Sequence, residues 1–372
     1  MTYRASSSVL DAIAEGDGLA TVRAASLTYV DVDDAGLTRV RHGKAFRYRT
    51  DDGRPVRAAE TLARIRSLAI PPAWTQVWIA SDPDAHVQAT GRDARGRKQY
   101  RYHRRWRQVR DEAKFHRFVS FCGVLPGIRR AVARDLACTC LCKRKVVATV
   151  IALMERAQLR VGNEEYARTN GSFGATTLRD RHAKFRGATL ELAYRAKGGI
   201  ARRVVVNDAR LARIVRRCRD LPGQRLFQYV DDGQPVPVTS SDVNSYLHEV
   251  SGGPFTAKDF RTWAATITAA ALLCASEHPG DVRGCKKCVT TMLTSVAERL
   301  GHTPAVCRGS YVHPRLITDF TDGTLGPALA SQTRRALRTA KVKDDTLDAA
   351  AITVDALRAL EPVVARYLAT VR

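Results

Sequence analysis

The spacing of apolar residues changes period once along this chain, and that change limits the fold more than any other feature of the sequence. Residues 20–104 hold short apolar runs ("SLTYVDVDDAGLTRV", "KAFRYRTDDGRPV", "TQVWIASDPDAH") broken by Asp-Asp-Gly and Asp-Pro. Runs this short, closed by turn residues, predict a small, mostly β domain. The Ala-rich "AAETLARIRSLAI" is the exception and reads as one helix. From residue 105 onward the repeat lengthens. In "KVVATVIALMERAQL", Val146, Val150, Leu153 and Ala157 fall at helical spacing on one face. One β insert interrupts the helices: in "ATLELAYRAKGGIARRVVVND" Leu190, Leu192 and Tyr194 alternate, Gly-Gly follows, and a second β-rich run closes a hairpin with Lys197 at its tip. The expected class is α+β, with a small β-rich N-terminal domain over 20–104 and a larger, mainly α-helical domain with a β-hairpin insert over 105–372.

Charge narrows the partner. The chain carries 61 Lys and Arg against 37 Asp and Glu, a formal charge of +24, while 45% of it is hydrophobic. That much apolar material can bury cores, so the charge belongs to a folded protein rather than a disordered tail. A pI near 10.2 points to a polyanion, nucleic acid ahead of a membrane surface. No apolar run approaches the ~18 residues of a membrane span. The opening "MTYRASSSVLDAIAEGDGLA" has acids where a signal peptide needs an apolar core. The expected location is cytoplasmic, at the nucleoid, and the Arg- and Ala-heavy usage fits a GC-rich bacterial genome. Nine cysteines cannot all pair. "CTCLC" (Cys138, Cys140, Cys142) and "CKKC" (Cys285, Cys288) sit in segments that read as helical and lack the usual zinc spacing, so reduced thiols and no metal site are expected. The acids of "VDVDD" and "DPDAH" read as turn punctuation, not as ligands of a metal-dependent nuclease or toprim-type enzyme.

Five dispersed residues carry the chemistry. "AQLRVGNEEYA" puts Arg160 at the end of an apolar helix, just before a Gly. The hairpin presents Lys197. "FTAKDFRTWAATITAA" opens with Thr256 and Asp259 in capping-box spacing, so Arg261 falls early in a helix whose apolar face is Phe260, Trp263, Ala264 and Ile267. Arg261 follows Phe260 and lies off the centre of that stripe, where its head group can reach a groove. "ERLGHTPAVCRGSYVHP" supplies His302 and Tyr311. A phenol is a poor nucleophile at neutral pH, its ordinary pKa being about 10. Cationic neighbours favour the phenolate. In phosphodiester transesterification the non-bridging oxygens gain charge, which arginine answers with a planar pair of donors. A histidine can donate to the same oxygens. A lysine can protonate the departing 5′-oxygen. Such an array supplies the charge neutralisation that a metal ion would otherwise provide.

The order Arg160, Lys197, Arg261, His302, Tyr311 resembles the catalytic pentad of type IB DNA topoisomerases, in their compact poxvirus-like and bacterial branch. The supporting stretches are "LRVGNEEYARTNGSFGATTLRDRH", "KDFRTWAAT" and "LGHTPAVCRGSYVHP", with "IPPAW" and "GRDARGRKQYRYH" upstream, so the resemblance covers roughly residues 20–320. It implies a monomer that clamps double-stranded DNA between two lobes and nicks one strand through a 3′-phosphotyrosyl link. It also implies swivelling and resealing with no cofactor, neither ATP nor a required metal. In those terms Tyr311 is the nucleophile, Arg160, Arg261 and His302 stabilise the transition state, and Lys197 is the general acid. Two departures stand out: Ala196 precedes Lys197 where the family has Gly, leaving Arg195 as the nearest other cation, and His302 matches the viral form where bacterial members often have Asn. Tyrosine recombinases share the Gly-His-to-Tyr spacing but place His-x-x-Arg where this chain has Lys258-x-x-Arg261, and they lack the β-rich N-terminal domain. A non-enzymatic basic DNA binder would account for the charge but not for the ordered five.

"GRDARGRKQYRYHRRWRQVR" interleaves Tyr100, Tyr102 and Trp106 with basic residues. Arg95, Lys98, Gln99, Tyr100, Tyr102 and Lys258 are the expected DNA contacts, and Trp106 is expected as core at the lobe junction. Phosphate contacts should dominate affinity, so binding measured by gel shift or anisotropy should fall steeply as salt rises. A flat response between low and physiological salt would contradict this. The stretch "PALASQTRRALRTAKVKDDTLDAAAITVDALRAL" reads as packing helices with a connection near "KVKDD".

Overall fold

The computed structural model describes residues 9–339 and 352–370, apart from Asp11, Ala14, Glu15, Lys44 and Gly326; the "KVKDD" connection lies outside them. The chain forms two compact units, Met1–Arg117 and Phe118–Arg372. In the first, the short runs become one antiparallel sheet of order β2-β1-β3-β4-β5, with β1 Gly36–His42, β2 Ala45–Arg49, β3 Thr75–Ala80, β4 Val87–Arg92 and β5 Lys98–Tyr102. Leu37, Val77, Ile79 and Ala89 pack against Ile65 of the helix Ala59–Ser67, the helix that the Ala-rich run predicts. The acids serve turns: the Asp34 carboxylate accepts from Asp31 N at 2.7 Å and the Asp82 carboxylate from Asp84 N at 2.8 Å.

The second unit is built on two helices, Lys143–Ala157 and Ala257–Ala275. Val146, Val150, Leu153 and Ala157 are all buried, but so is almost the whole circumference of their helix. From Phe260 to Cys274 every side chain of the other helix is buried as well. The one-sided stripe expected for each is therefore too narrow, because later segments cover the remaining faces. The carboxylates this buries are paired, as a low-dielectric interior requires. Glu155 takes Arg129 at 2.8 Å and Arg358 at 2.7 Å, while Glu361 takes Arg129 at 2.7 Å and Trp263 Nε1 at 2.8 Å. Arg358 and Glu361 belong to the helix Val354–Ala369, which packs Leu357, Leu360 and Val364 into the core together with Leu337 of the helix Pro327–Thr339.

The insert has three strands rather than two: β6 Ala183–Arg186, β7 Thr189–Arg195 and β8 Ala201–Asn207, in the order β6-β7-β8. Arg195 pairs with Ala201, and Lys197–Gly199 form the single turn at the tip. A further hairpin joins β9 Gln228–Asp231 to β10 Gln234–Pro237. Four-residue strands, one of them "QPVP", give almost no period-two signal, and proline reads against a strand. The cysteine stretch 138–142 is not helical. It forms the connection between the helices Arg104–Leu136 and Lys143–Ala157, whereas Cys285 and Cys288 do lie in the helix Val282–Leu300. All nine cysteines are free thiols.

Candidate active site

Arg160, His302 and Tyr311 stand where a helix meets a loop and Arg261 near the start of its helix, and local chemistry fixes each junction. The helix Lys143–Ala157 ends at Gln158, which is left-handed at φ 52°. The chain beyond it runs against residues 174–176: Arg160 O accepts from Ala175 N and Val161 O from Thr176 N, both at 2.7 Å. A Cβ on Gly174 would lie 2.6 Å from Gly162 Cα and 2.7 Å from Arg160 O, so this crossing admits only glycine. That contact accounts for Gly162 and Gly174 of "RVGNEEYARTNGSFG", while Gly171 at φ 57° caps the helix Glu164–Asn170. At the next junction Thr256 N donates to Asp259 Oδ2 at 2.7 Å, the capping box that starts the Arg261 helix. The helix Val282–Leu300 closes on Gly301 at φ 62°, and His302 N donates back to Ala297 O at 2.9 Å. Tyr311 ends the helix Pro304–Ser310. Its carbonyl accepts from Thr266 Oγ1 at 3.0 Å, and Thr266 Oγ1 in turn accepts from His313 N at 3.2 Å.

These junctions bring Arg160, Arg261, His302 and Tyr311 to one cleft of about 280 Å³, also lined by Lys197 and Lys258. Arg160 Nη2 lies 2.7 Å from His302 Nε2, which lies 3.1 Å from Tyr311 Oη. The His302 and Tyr311 rings are 4.9 Å apart, and the Arg261 guanidinium is 5.4 Å from the centre of the Tyr311 ring. Lys197 is exposed, with Nζ 5.5 Å from the Tyr166 ring centre. The placement of Arg261 differs from expectation: it is 3% exposed, its head group bonded to Gln158 O and to Leu300 O. It reaches the cleft from within the core rather than from an open flank.

The electrostatics run one way. Burial, with Arg261 close by, pulls Arg160 down to about 10. Burial, reinforced by Arg160 and Arg261, pulls His302 down to about 4, and burial lowers Arg261. His302 is therefore neutral near pH 7. Because a guanidinium can only donate, Nε2 is its acceptor and the ring proton sits on Nδ1. Cations crowded until each is harder to hold charged define a site that gains from an incoming anion.

Among the remaining sequence candidates, Lys258 is exposed on the first turn of the Arg261 helix. Arg95, Lys98, Gln99, Tyr100 and Tyr102 belong to the β4–β5 hairpin of the first unit. Arg95 and Lys98 are exposed, and Gln99 Nε2 donates to Asp93 Oδ2 at 3.0 Å. Tyr100, 43% exposed, stacks on half-buried Tyr102 at 5.8 Å. Trp106 is buried within that unit, 5.9 Å from Tyr102 and 4.6 Å from His86. Sequence reasoning missed Thr266, which is fully buried and holds the Tyr311 segment, and Arg202, which reaches the end of the helix Val282–Leu300. Thr266 is one of three threonines in a mainly apolar helix and gave only a weak signal; Arg202 had none among so many arginines.

A β unit followed by a helical unit, with a phenol set among buried guanidiniums, is the architecture of an enzyme acting on a phosphodiester polymer. Residues 103–324 match the family described as eukaryotic DNA topoisomerase I, catalytic core, and residues 45–93 the bacterial DNA topoisomerase IB, N-terminal domain. The DNA topoisomerase 1B of Acanthamoeba polyphaga mimivirus is 34% identical over 285 residues, 74% of this chain and 85% of that protein. The chain belongs to the type IB DNA topoisomerases. It is an isomerase whose substrate is DNA. No helix among the described residues is long and apolar enough to cross a membrane.

Proposed function

We propose that Tyr311 is the nucleophile of this topoisomerase, and that Arg160, Arg261, His302 and Lys197 complete its chemistry on one strand of a DNA duplex. Tyr311 Oη attacks the scissile phosphorus. The tyrosyl-oxygen–phosphorus bond forms on the 3′ side, the bond to the 5′-oxygen breaks, the phenolic proton passes to water, and Lys197 gives a proton to the departing oxygen. One phosphoester replaces another, so resealing needs no ATP. The free 5′ end swivels before it attacks in reverse and relaxes the supercoil. Arg160 and Arg261 meet the charge on the non-bridging oxygens. They take the place a metal ion would otherwise fill. The working unit is a monomer, acting in the cytoplasm at the nucleoid. Arg95, Lys98, Gln99, Tyr100, Tyr102 and Lys258 contact the duplex.

The observation that carries this reading is the 3.1 Å approach of His302 Nε2 to Tyr311 Oη with Arg160 Nη2 at 2.7 Å on the same nitrogen. The test is relaxation of supercoiled plasmid in EDTA without nucleotide, followed by detergent trapping of the covalent complex. A dependence on magnesium or ATP, or trapped protein on a 5′ end, overturns it. His302 allows a finer test. An incoming phosphate draws Arg160 away and leaves Nε2 free to carry a proton and donate to a phosphoryl oxygen. Asparagine offers an amide donor and alanine offers none. His302→Asn should keep single-turnover cleavage within about 10-fold, whereas His302→Ala should lose about 10²–10³-fold, the range for one lost donor to a developing charge. Equal losses would remove His302 from that role.

A further inference from the structure

The end of the helix Val282–Leu300 holds three guanidiniums, of which only two line the cleft. Arg261 Nη2 donates to Leu300 O at 2.8 Å and Arg160 Nη2 to Gly301 O at 3.1 Å. Arg202 Nη1 donates to Glu298 O at 3.2 Å and to Arg299 O at 3.0 Å. The carbonyls of four successive residues at this helix end, Glu298 to Gly301, are each met by arginine, and Glu298 O also accepts from Gly301 N at 3.2 Å. They also form the negative end of the helix dipole. The stem of Arg202 lies over the next turn, since a Cβ on Gly301 would sit 3.1 Å from Arg202 Cδ.

Arg202 stands in β8, paired across the hairpin with Tyr194 of β7. The turn it supports begins at Lys197 and is otherwise open. Gly198 and Gly199 have φ of 82° and 78°, and a Cβ on either would meet nothing within 4 Å. On the β7 side the hairpin is tied by Phe173 N to Arg195 O at 2.8 Å. On the β8 side Val206 and Val204 pack against the core, and Arg202 adds a polar tie that reaches the same helix end that places Arg160, Arg261 and His302.

We propose that Arg202 is a positioning residue for Lys197, fixing the hairpin against the end of the helix Val282–Leu300 so that the ammonium meets the departing 5′-oxygen. This rests on the reading of Lys197 as the proton donor, and the test separates the two. Single-turnover cleavage is measured on a DNA whose scissile bond has a 5′-bridging oxygen and on one with a 5′-bridging sulfur. A thiolate is a weakly basic leaving group that departs without a proton. Lys197→Ala should be slow on the oxygen substrate and near wild type on the sulfur one; if sulfur does not restore it, the proton-donor reading fails. Arg202→Met should lose on the order of 10- to 10²-fold on oxygen, the scale of a reacting group misplaced by about an ångström. On sulfur it should return to within a few-fold of wild type. Arg261→Ala should be slow on both. Arg202→Met equally slow on both, or unimpaired on oxygen while Lys197→Ala behaves as stated, overturns the proposal. Should Arg202→Met fail to melt cooperatively, Arg202→Lys, which keeps a donor for the two carbonyls, gives the same reading: a smaller loss on oxygen and none on sulfur, with any loss on sulfur overturning it.

Discussion

Tyr311→Phe will relax no plasmid and form no covalent complex, yet will bind duplex DNA within about twofold of the unaltered protein. The ring is what the fold uses. It lies against the helical core and beneath the Arg261 guanidinium, while the backbone is held by Cys307 O and Thr266 Oγ1. Phenylalanine keeps all of that. The hydroxyl it lacks contacts His302 Nε2 at 3.1 Å, and one such bond contributes roughly 1 kcal/mol to stability. Removal of an attacking atom, by contrast, costs at least about 10⁴-fold, because the cations can stabilise a transition state only if something forms the new bond. Plasmid relaxation and a gel shift on the same preparation measure both halves. Residual relaxation by the variant would move the nucleophile to Tyr166, another phenol lining the cleft.

What the sequence disclosed and what it withheld divide along physical lines. Arg160, Arg261, His302 and Tyr311 were legible through their order along the chain and the motifs around them, with the Gly just after Arg160 and the Thr256–Asp259 capping box as the local signals; the structure adds the crossing at Gly162 and Gly174, the left-handed end at Gly301 and Pro304 opening the next helix. The change from β to helical spacing was legible as a local signal too. The depth of Arg261 was not, because burial depends on which distant segments cover a helix; here Gln158 and Leu300 supply acceptors from two separate elements. Arg202 was invisible for a related reason. Its partners are backbone carbonyls nearly a hundred residues away, and a carbonyl has no sequence signature. The third strand of the insert and the β9–β10 hairpin were lost to strand length, and in β10 to proline as well.

The same observations explain how like charges converge with no phosphate present. Arg160, Arg202 and Arg261 give their donors to backbone carbonyls rather than to carboxylates. A carboxylate would neutralise a guanidinium and compete with DNA for it. A carbonyl orients the fork while leaving its charge in place, and burial then makes that charge costly until an anion arrives. Cations oriented yet unneutralised are what electrostatic stabilisation of a developing charge requires.

Arg261 is where that arrangement is most exposed to substitution. Its Nη1 is committed to Gln158 O and its Nη2 to Leu300 O, and its buried Nε has no hydrogen-bond partner among the described residues. Arg261→Ala removes the charge and the fork together, and should slow single-turnover cleavage by about 10³–10⁵-fold, the range found for arginines that meet transferring phosphoryl groups. Arg261→Lys keeps the charge but not the fork. An ammonium long enough to reach Leu300 O or the phosphate cannot hold Gln158 O, Leu300 O and a phosphoryl oxygen in one plane. It should therefore recover little, remaining at least about 10²-fold below wild type while DNA affinity changes by only a few-fold, since affinity is set by phosphate contacts along the duplex. Lysine restoring cleavage to within 10-fold would mean that positive charge alone is required at this position, and the carbonyl-held fork would lose its part in the chemistry.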